Sequence, residues 1–353
     1  MKASIETLQL SGPIEGEVLV KLTATGVCHT DLKIASTEGR SPRPVVFGHE
    51  GAGVVEAVGP GIFDLEKGDH VVMSFGSCGR CPSCLDAEPA LCYTTDHFAC
   101  TREDGSFYLE GAEEPVHGDF FNQSSFATYA IAKRRGLVKV RKDAPLEILG
   151  PLGCGIQTGA GAILNVFKIK PGQTLAVFGV GSLGLSAVMA AKIAGAGQII
   201  AVDVHPNRLQ MAVELGADQV IRAEGGPVSE KVFSILEHGV DFAFDTSTIS
   251  AVMLDAIASL APRGTFGYAA PPDDTQGTLP LPMRPLMLGR KIVGILEGNS
   301  NPEVFIPQLV DYHMQGKFPF DRLVKFYPFD EINKAFHDSE AGTTIKPILQ
   351  MTP

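Results

Sequence analysis

The sequence predicts an α/β chain of two domains, one mainly antiparallel β and the other built on a doubly wound parallel sheet. Three observations lead there. At 353 residues the chain is long enough for two cores. Residues from about 16 to 150 read as short β-like runs cut by Gly and Pro turns. From about residue 173 the pattern alternates strand and helix at the pitch of βαβ units.

In the first region "GEVLVKLTATGV", "GAGVVEAVG" and "GDHVVMSF" are the clearest strands, and their spacing suggests an antiparallel, partly barrel-like arrangement. In the second, "QTLAVFG" reads as a buried strand, "SLGLSAVMAAKIAGA" as a helix, "QIIAVDV" as a strand, "NRLQMAVELGA" as a helix and "DQVI" as a strand. Then follow the strand "VDFAFDTS", the helix "AVMLDAIASLA" and the strands "GTFGYAA" and "KIVGIL". After about residue 296 the pattern is mixed again and is expected to return to the first domain. Neither a repeat nor a long linker interrupts it.

Charge and hydropathy narrow the function classes. A net charge of -11, spread along the chain, disfavours nucleic acid and anionic membrane surfaces as partners. No apolar run approaches the ~20 residues of a membrane helix, and "MKASIETLQL" lacks a signal-peptide core, so a cytoplasmic location is expected.

Seven cysteines in such a chain point to metal or catalysis rather than disulfides. "SCGRCPSCLDAEPALC" places Cys78, Cys81, Cys84 and Cys92 on one short loop, a closed set of soft donors suited to a structural zinc. An iron–sulfur cluster would use the same donors. Either way a closed set leaves no position for a substrate, so chemistry is expected elsewhere.

"GVGSLG" follows the first strand of the second domain and opens its helix, with Gly179, Gly181 and Gly184 in the dinucleotide fingerprint and Asp203 ending the next strand. The glycines let backbone approach a pyrophosphate at a helix N-terminus. Asp203 is suited to the two adenosine ribose hydroxyls and would repel a 2′-phosphate, so NAD is expected over NADP; His205 and Arg208 lie close enough to soften that preference.

"GVCHTD", "GHEGAG" and "LGCG" each hold one metal-ligand type, Cys28, His49 and Cys154. Two thiolates and an imidazole form a three-ligand set with an open fourth position, as catalytic zinc requires. Taken singly, each cysteine also reads as a small buried hydrophobe and the histidine as a hydrogen-bonded core residue.

These fragments, with the four-cysteine lobe, "GCGIQTGAGA", "GVGSLG" and "GTTIKPIL" in this order, resemble the zinc-containing medium-chain alcohol dehydrogenases along nearly the whole chain. "FFNQSSFATYA" and "PLGCGIQTGAGA" look most like the aryl- and allylic-alcohol branch. The resemblance implies a GroES-like catalytic domain over 1–155 and 297–353 and a Rossmann NAD-binding domain over 156–296. It implies one catalytic and one structural zinc, with the catalytic ion lowering the alcohol's pKa before hydride passes to the nicotinamide. Thr30 matches the hydroxyl that meets the substrate oxygen, Asp31 the carboxylate that orients the histidine, and Glu50 an acid beside the metal. His29 and Lys346 match cations that meet the cofactor pyrophosphate, and Thr158 a position near the nicotinamide. A homodimer or homotetramer paired through "KIVGIL" is the implied assembly, and a small-molecule alcohol or aldehyde the implied partner.

Two departures stand out. Lys33 occupies the position where many members end their proton relay on a histidine, and a protonated lysine offers donors only. The segment before Cys28 is shorter than the family's usual first strand requires, implying a truncated chain or a sheet edge left exposed. Phe98, Phe107, Phe120 and Phe121 are candidates for an apolar substrate lining and equally for core, and Cys100 carries no assigned role. An aldehyde or natural-product carbonyl reductase would share every catalytic residue; a non-catalytic dinucleotide-binding relative would be expected to have lost one.

Overall fold

A computed structural model describes residues 2–94, 97–98, 100–102, 104–110 and 116–351. The chain divides into two compact units, 1–155 with 301–315 and 320–353, and 156–300 with 316–319.

In the first unit, β1 (Gln9–Leu10) lies outside the main sheet, and β2 (Glu17–Gly26) runs into α1 (His29–Ser36). β3 (Gly51–Val58) and β4 (His70–Met73) follow, then α2 (Pro82–Leu85), β5 (Leu109–Glu110), β6 (Tyr129–Lys133), β7 (Leu137–Val140) and α3 (Leu146–Leu149). β2 is the hub: it pairs antiparallel with β3, with β6 along its first half, and with a late strand at its end. Val18, Val20 and Leu22 alternate inward from it onto Val55, Val71, Met73 and Leu137, the core of this unit.

α4 (Gly155–Gly161) leads into the second unit, whose elements alternate: β8 (Thr174–Phe178), α5 (Ser182–Ala194), β9 (Gln198–Asp203), α6 (Pro206–Leu215) and β10 (Gln219–Arg222), then α7 (Val228–Ile235), β11 (Val240–Asp245), α8 (Ser250–Ala258), β12 (Leu260–Tyr268) and β13 (Lys291–Gly294). The six strands are all parallel, in the order β10-β9-β8-β11-β12-β13. That is the doubly wound order with its switch point between β8 and β11. The helix expected over "AVMLDAIASLA" stops at Ala258, and Leu260 already pairs with Val240 as the start of β12. Pro262 explains the difference, because the residue before a proline is pushed out of the helical region.

The chain returns through α9 (Pro302–Met314), β14 (Val324–Pro328), α10 (Ile332–Glu340) and β15 (Lys346–Gln350), and β15 joins the first unit's sheet beside the end of β2. Among the described residues, no helix is long and apolar enough to cross a membrane.

Candidate active site and metal centres

Three chain segments converge where β2 ends. Gly26 donates its N–H to the Glu50 carbonyl at 2.9 Å and Val27 to the Pro347 carbonyl at 3.0 Å, so the entry to α1, the start of β3 and β15 meet at one point. A Cβ on Gly26 would collide with the Glu50 carboxylate, which is why the approach needs glycine there. Cys154 arrives from a fourth segment, the 3₁₀ turn Gly150–Gly153, fixed at the end of β4 by Ser74 Oγ donating to the Gly153 carbonyl at 2.7 Å.

Cys28 is the N-cap of α1, and Asp31, three residues on, bends back to accept its N–H at 3.2 Å. This is the reciprocal spacing of a capping box, so local helix chemistry already aims Asp31 at the cysteine loop. The other carboxylate oxygen, Oδ1, accepts from Gly48 N at 3.1 Å and contacts His49 Nδ1 at 2.7 Å. Against the cost of burial, the Asp31 carboxylate and Cys28 hold the His49 pKa well above its ordinary value, and the ring turns Nδ1 to Asp31. Nε2 is buried and has no hydrogen-bond partner.

The ligand atoms of Cys28, His49, Glu50 and Cys154 lie within 4.8 Å of one another. The Cys154 thiol hydrogen-bonds Cys28; against the cost of burial, and with attraction from His49, it holds the Cys28 thiol well below its ordinary pKa. Two thiols, one easily ionised, and an orphaned imidazole nitrogen are the donor set a zinc ion completes. The four-cysteine lobe passes the same test. Cys78 and Cys84 sulfurs are 4.0 Å apart and those of Cys81 and Cys92 3.9 Å, close to the ~3.8 Å edge of a tetrahedron with 2.3 Å zinc–sulfur bonds.

Glu50 is fully buried, and Lys346 Nζ sits 3.0 Å from each of its oxygens, also donating to the Val27 carbonyl at 3.2 Å. Burial works against the ammonium's charge, but the Glu50 carboxylate outweighs it and keeps the Lys346 pKa above its ordinary range. This partner for Lys346 was not foreseen from sequence. Thr30 is half-buried and His29 exposed, both in the first turn of α1, and Lys33 is exposed in its last turn.

In the second unit the three fingerprint glycines hold three different jobs. Gly179 has φ +85° and touches Thr246 Oγ1, which donates to its carbonyl at 2.8 Å across the switch point. Gly181 caps α5 and a Cβ there would meet open space, the clear approach a pyrophosphate needs. A Cβ on Gly184 would strike the Gly179 carbonyl, so this residue permits close packing of helix on strand. Asp203, buried at the end of β9, accepts from Val180 N at 2.8 Å and His205 N at 2.9 Å, with Arg208 Nη1 at 3.9 Å. Each carboxylate oxygen keeps a further lone pair for a ligand. Thr158, buried on α4, has its hydroxyl 3.4 Å from Glu297.

The aromatic candidates separate. Phe98, Phe120 and Phe121 cluster with Ile34, Cys100 and Phe47, and Phe121 stacks on the His49 ring with centroids 4.5 Å apart. Phe107 packs instead against His117 at 5.0 Å. Gln123, buried and bonded to the His49 carbonyl and the Gly51 N–H, is a neighbour of the cluster that sequence reasoning passed over. It lies within "FFNQSSFATYA", where the polar run after two aromatics was the available signal.

Comparison with known proteins agrees with this geometry. Residues 14–142 match the alcohol dehydrogenase GroES-like domain and residues 182–311 the zinc-binding dehydrogenase domain. The chain is 44% identical over 354 residues to a geraniol dehydrogenase from Castellaniella defragrans, covering 98% of this chain and 94% of the relative. It superposes on an alcohol dehydrogenase zinc-binding domain protein from Burkholderia ambifaria with TM-score 0.96 at 49% identity, covering 99% and 95% of the two chains. On benzyl alcohol dehydrogenase from Acinetobacter calcoaceticus the TM-score is 0.93 at 44% identity, covering 98% and 94%. The chain therefore belongs to the zinc-containing medium-chain alcohol dehydrogenases, in the aryl- and allylic-alcohol branch to which these relatives point.

Proposed function

We propose that this enzyme interconverts primary aryl or allylic alcohols and their aldehydes, with NAD as the hydride carrier and two zinc ions per chain. The observation that carries it is the buried, unpartnered His49 Nε2 within 4.8 Å of two thiols and Glu50. The relatives named for geraniol and benzyl alcohol support the substrate class. Residues 1–155 and 297–353 are proposed to carry the chemistry, and 156–296 the dinucleotide.

Cys28, His49 and Cys154 would hold a zinc ion, which when bound would supply Lewis acidity toward a substrate hydroxyl, and NAD would supply the hydride acceptor. Asp31 holds the Nδ1 proton, fixing the tautomer and pointing Nε2 at the thiols. Burial holds the Glu50 pKa above its ordinary value, and the Lys346 ammonium offsets part of that cost. Thr30 is the hydroxyl assigned to take the substrate proton outward. Gly181 leaves the helix N-terminus open to the pyrophosphate, with His29 as a supporting cation, Thr158 is assigned beside the nicotinamide, and Arg208, 3.9 Å from Asp203, is the cation at the ribose end; Lys346, given to the pyrophosphate by the sequence reading, is bonded instead to Glu50 and the Val27 carbonyl. Asp203 receives the ribose hydroxyls and disfavours a 2′-phosphate. Cys78, Cys81, Cys84 and Cys92 hold the second, structural zinc. Assembly as a homodimer or homotetramer through β13 is supported by the exposed Ile292 and Leu296 beside that strand.

The test combines zinc content with NADH absorbance on the purified chain. Two zincs per chain and turnover of benzyl alcohol or geraniol are expected, with faster benzaldehyde reduction marking the reverse as the favoured direction. Asp203→Gly should cut the preference for NAD over NADP roughly tenfold or more, as loss of a charged hydrogen bond predicts. An unchanged ratio would remove Asp203 from the assignment.

A further inference from the structure

We infer that Gln123 is a positioning residue for His49, its side-chain amide bridging the main chain on the two sides of Glu50. Phe126 N donates to the Phe47 carbonyl and Ser125 N to the Gly48 carbonyl, both at 2.9 Å, so two backbone bonds tie the chain just after Ser124 to the segment that enters β3. The residues before them coil. Asp119, Phe121, Asn122 and Ser124 all have positive φ, between 49° and 64°. Ser124 Oγ ties this coil down, donating to the Val46 carbonyl at 2.6 Å and accepting from Phe120 N at 2.9 Å.

The Gln123 side chain makes the next tie along the same segment. Its Nε2 donates to the His49 carbonyl at 2.8 Å and its Oε1 accepts from Gly51 N at 3.0 Å, in a site where the residue is 1% exposed. The two bonds bracket Glu50. A carbonyl on one side and an N–H on the other demand one donor and one acceptor in one plane, which a primary amide offers and a carboxylate does not. Left-handed backbone at four non-glycine residues in six is strain of the kind that marks functional sites. Here the same coil also lays Phe121 flat on the His49 imidazole, at an interplanar angle of 24°. His49 is thus held at its main chain by Gln123, at its ring face by Phe121 and at Nδ1 by Asp31, which leaves Nε2 one direction to point.

The inference rests on the reading that Cys28, His49 and Cys154 hold a metal. Partners of this outer kind typically govern 10 to 100-fold in metal affinity, and that is the loss expected on replacing Gln123. Two variants test it: Gln123→Met, similar in volume and with no amide, and Gln123→Glu, which keeps the acceptor for Gly51 and loses the donor to His49. Each full-length chain is titrated with cobalt(II) as the probe, and its visible spectrum read for ligand geometry. Zinc retention is measured against a competing chelator, with the four-cysteine lobe as internal reference.

Expected are an altered cobalt spectrum and about 10 to 100-fold weaker retention at the three-residue site, with the lobe unchanged. Equal weakening at both sites would reduce Gln123 to a general structural role and overturn the inference. So would variants that load and absorb like the parent. A parent chain that takes up no metal at Cys28, His49 and Cys154 overturns instead the reading beneath it. Gln123→Glu covers the case in which Gln123→Met does not fold.

Discussion

The two cysteine clusters make opposite use of the same element. The lobe draws all four sulfurs from fifteen consecutive residues, Cys78 to Cys92, and its local regular structure is a single helical turn, α2, with a short 3₁₀ turn. Three of its four cysteines are only half-buried. The other cluster draws Cys28, His49 and Cys154 from segments far apart in sequence, buries His49 to 1% exposure, and surrounds it with hydrogen bonds to Asp31 and Gln123 and a stacked Phe121. If each cluster holds the metal proposed for it, a loop with one helical turn would depend on that metal for order, whereas a site assembled by a sheet would be formed before metal arrives. The contrast predicts that metal loss unfolds one and merely silences the other.

The largest effect should come from His49→Ala. It is expected to lower turnover at least about a thousandfold, the scale of Lewis-acid stabilisation, while NAD affinity stays near the parent's. Loss of NAD binding together with turnover would break the comparison at its catalytic end. Cys81→Ser should do the reverse: a melting temperature lower by about 10 °C, as a loss of roughly 3 to 4 kcal/mol produces in a domain-sized unit, ahead of any effect on chemistry. A Cys81→Ser chain as heat-stable as the parent would mean that the lobe is not held by metal.

Asp31→Asn comes next. It keeps an acceptor but removes the charge that fixes the His49 tautomer, and about 10 to 100-fold weaker zinc retention or activity is expected, with the lobe's zinc unaffected. The smallest effect separates burial from metal chemistry. Asp245, 1% exposed at the end of β11 and distant in sequence from both clusters, is pushed by burial up to about 6, against hydrogen bonds from Ser247 and Thr248. Its unfolded value is near 3.9, so between these two values the folded chain keeps a proton that the unfolded chain has lost. The cost of the buried charge is therefore complete above the folded value and relieved as pH falls through it. Relative to Asp245→Asn, the parent should gain about 2 kcal/mol of stability between about pH 7.5 and pH 4.5. A pH-independent difference in denaturant midpoint would show that this carboxyl stays charged when folded.

Much of this was readable without coordinates, and for local reasons. The alternation of strand and helix around "GVGSLG" is set by residues within a few turns of one another, and all six parallel strands appear where that pattern placed them. Helix α7 was missed, since "VSEKVFSI" was left unassigned between "DQVI" and "VDFAFDTS". The three proposed ligands of the buried cluster were legible only as residue types in glycine-bracketed fragments. Their meeting depends on β2 pairing with both β3 and β15 at its last residues.

What the sequence by itself determined, then, are the features carried by short-range chemistry: the fingerprint glycines, the lobe's spacing, the C-x-x-D capping that turns Asp31 toward Cys28, and the strand and helix periods. What only the tertiary structure decided are the pairings across long sequence separation: Lys346 on Glu50, Phe121 on His49, and the Gln123 amide between His49 and Gly51. The reason is physical. A buried ammonium, ring face or amide chooses its partner from whatever unpaired charge, surface or backbone group the folded sheet leaves beside it. That choice exists only once β2, β3 and β15 have been brought into register.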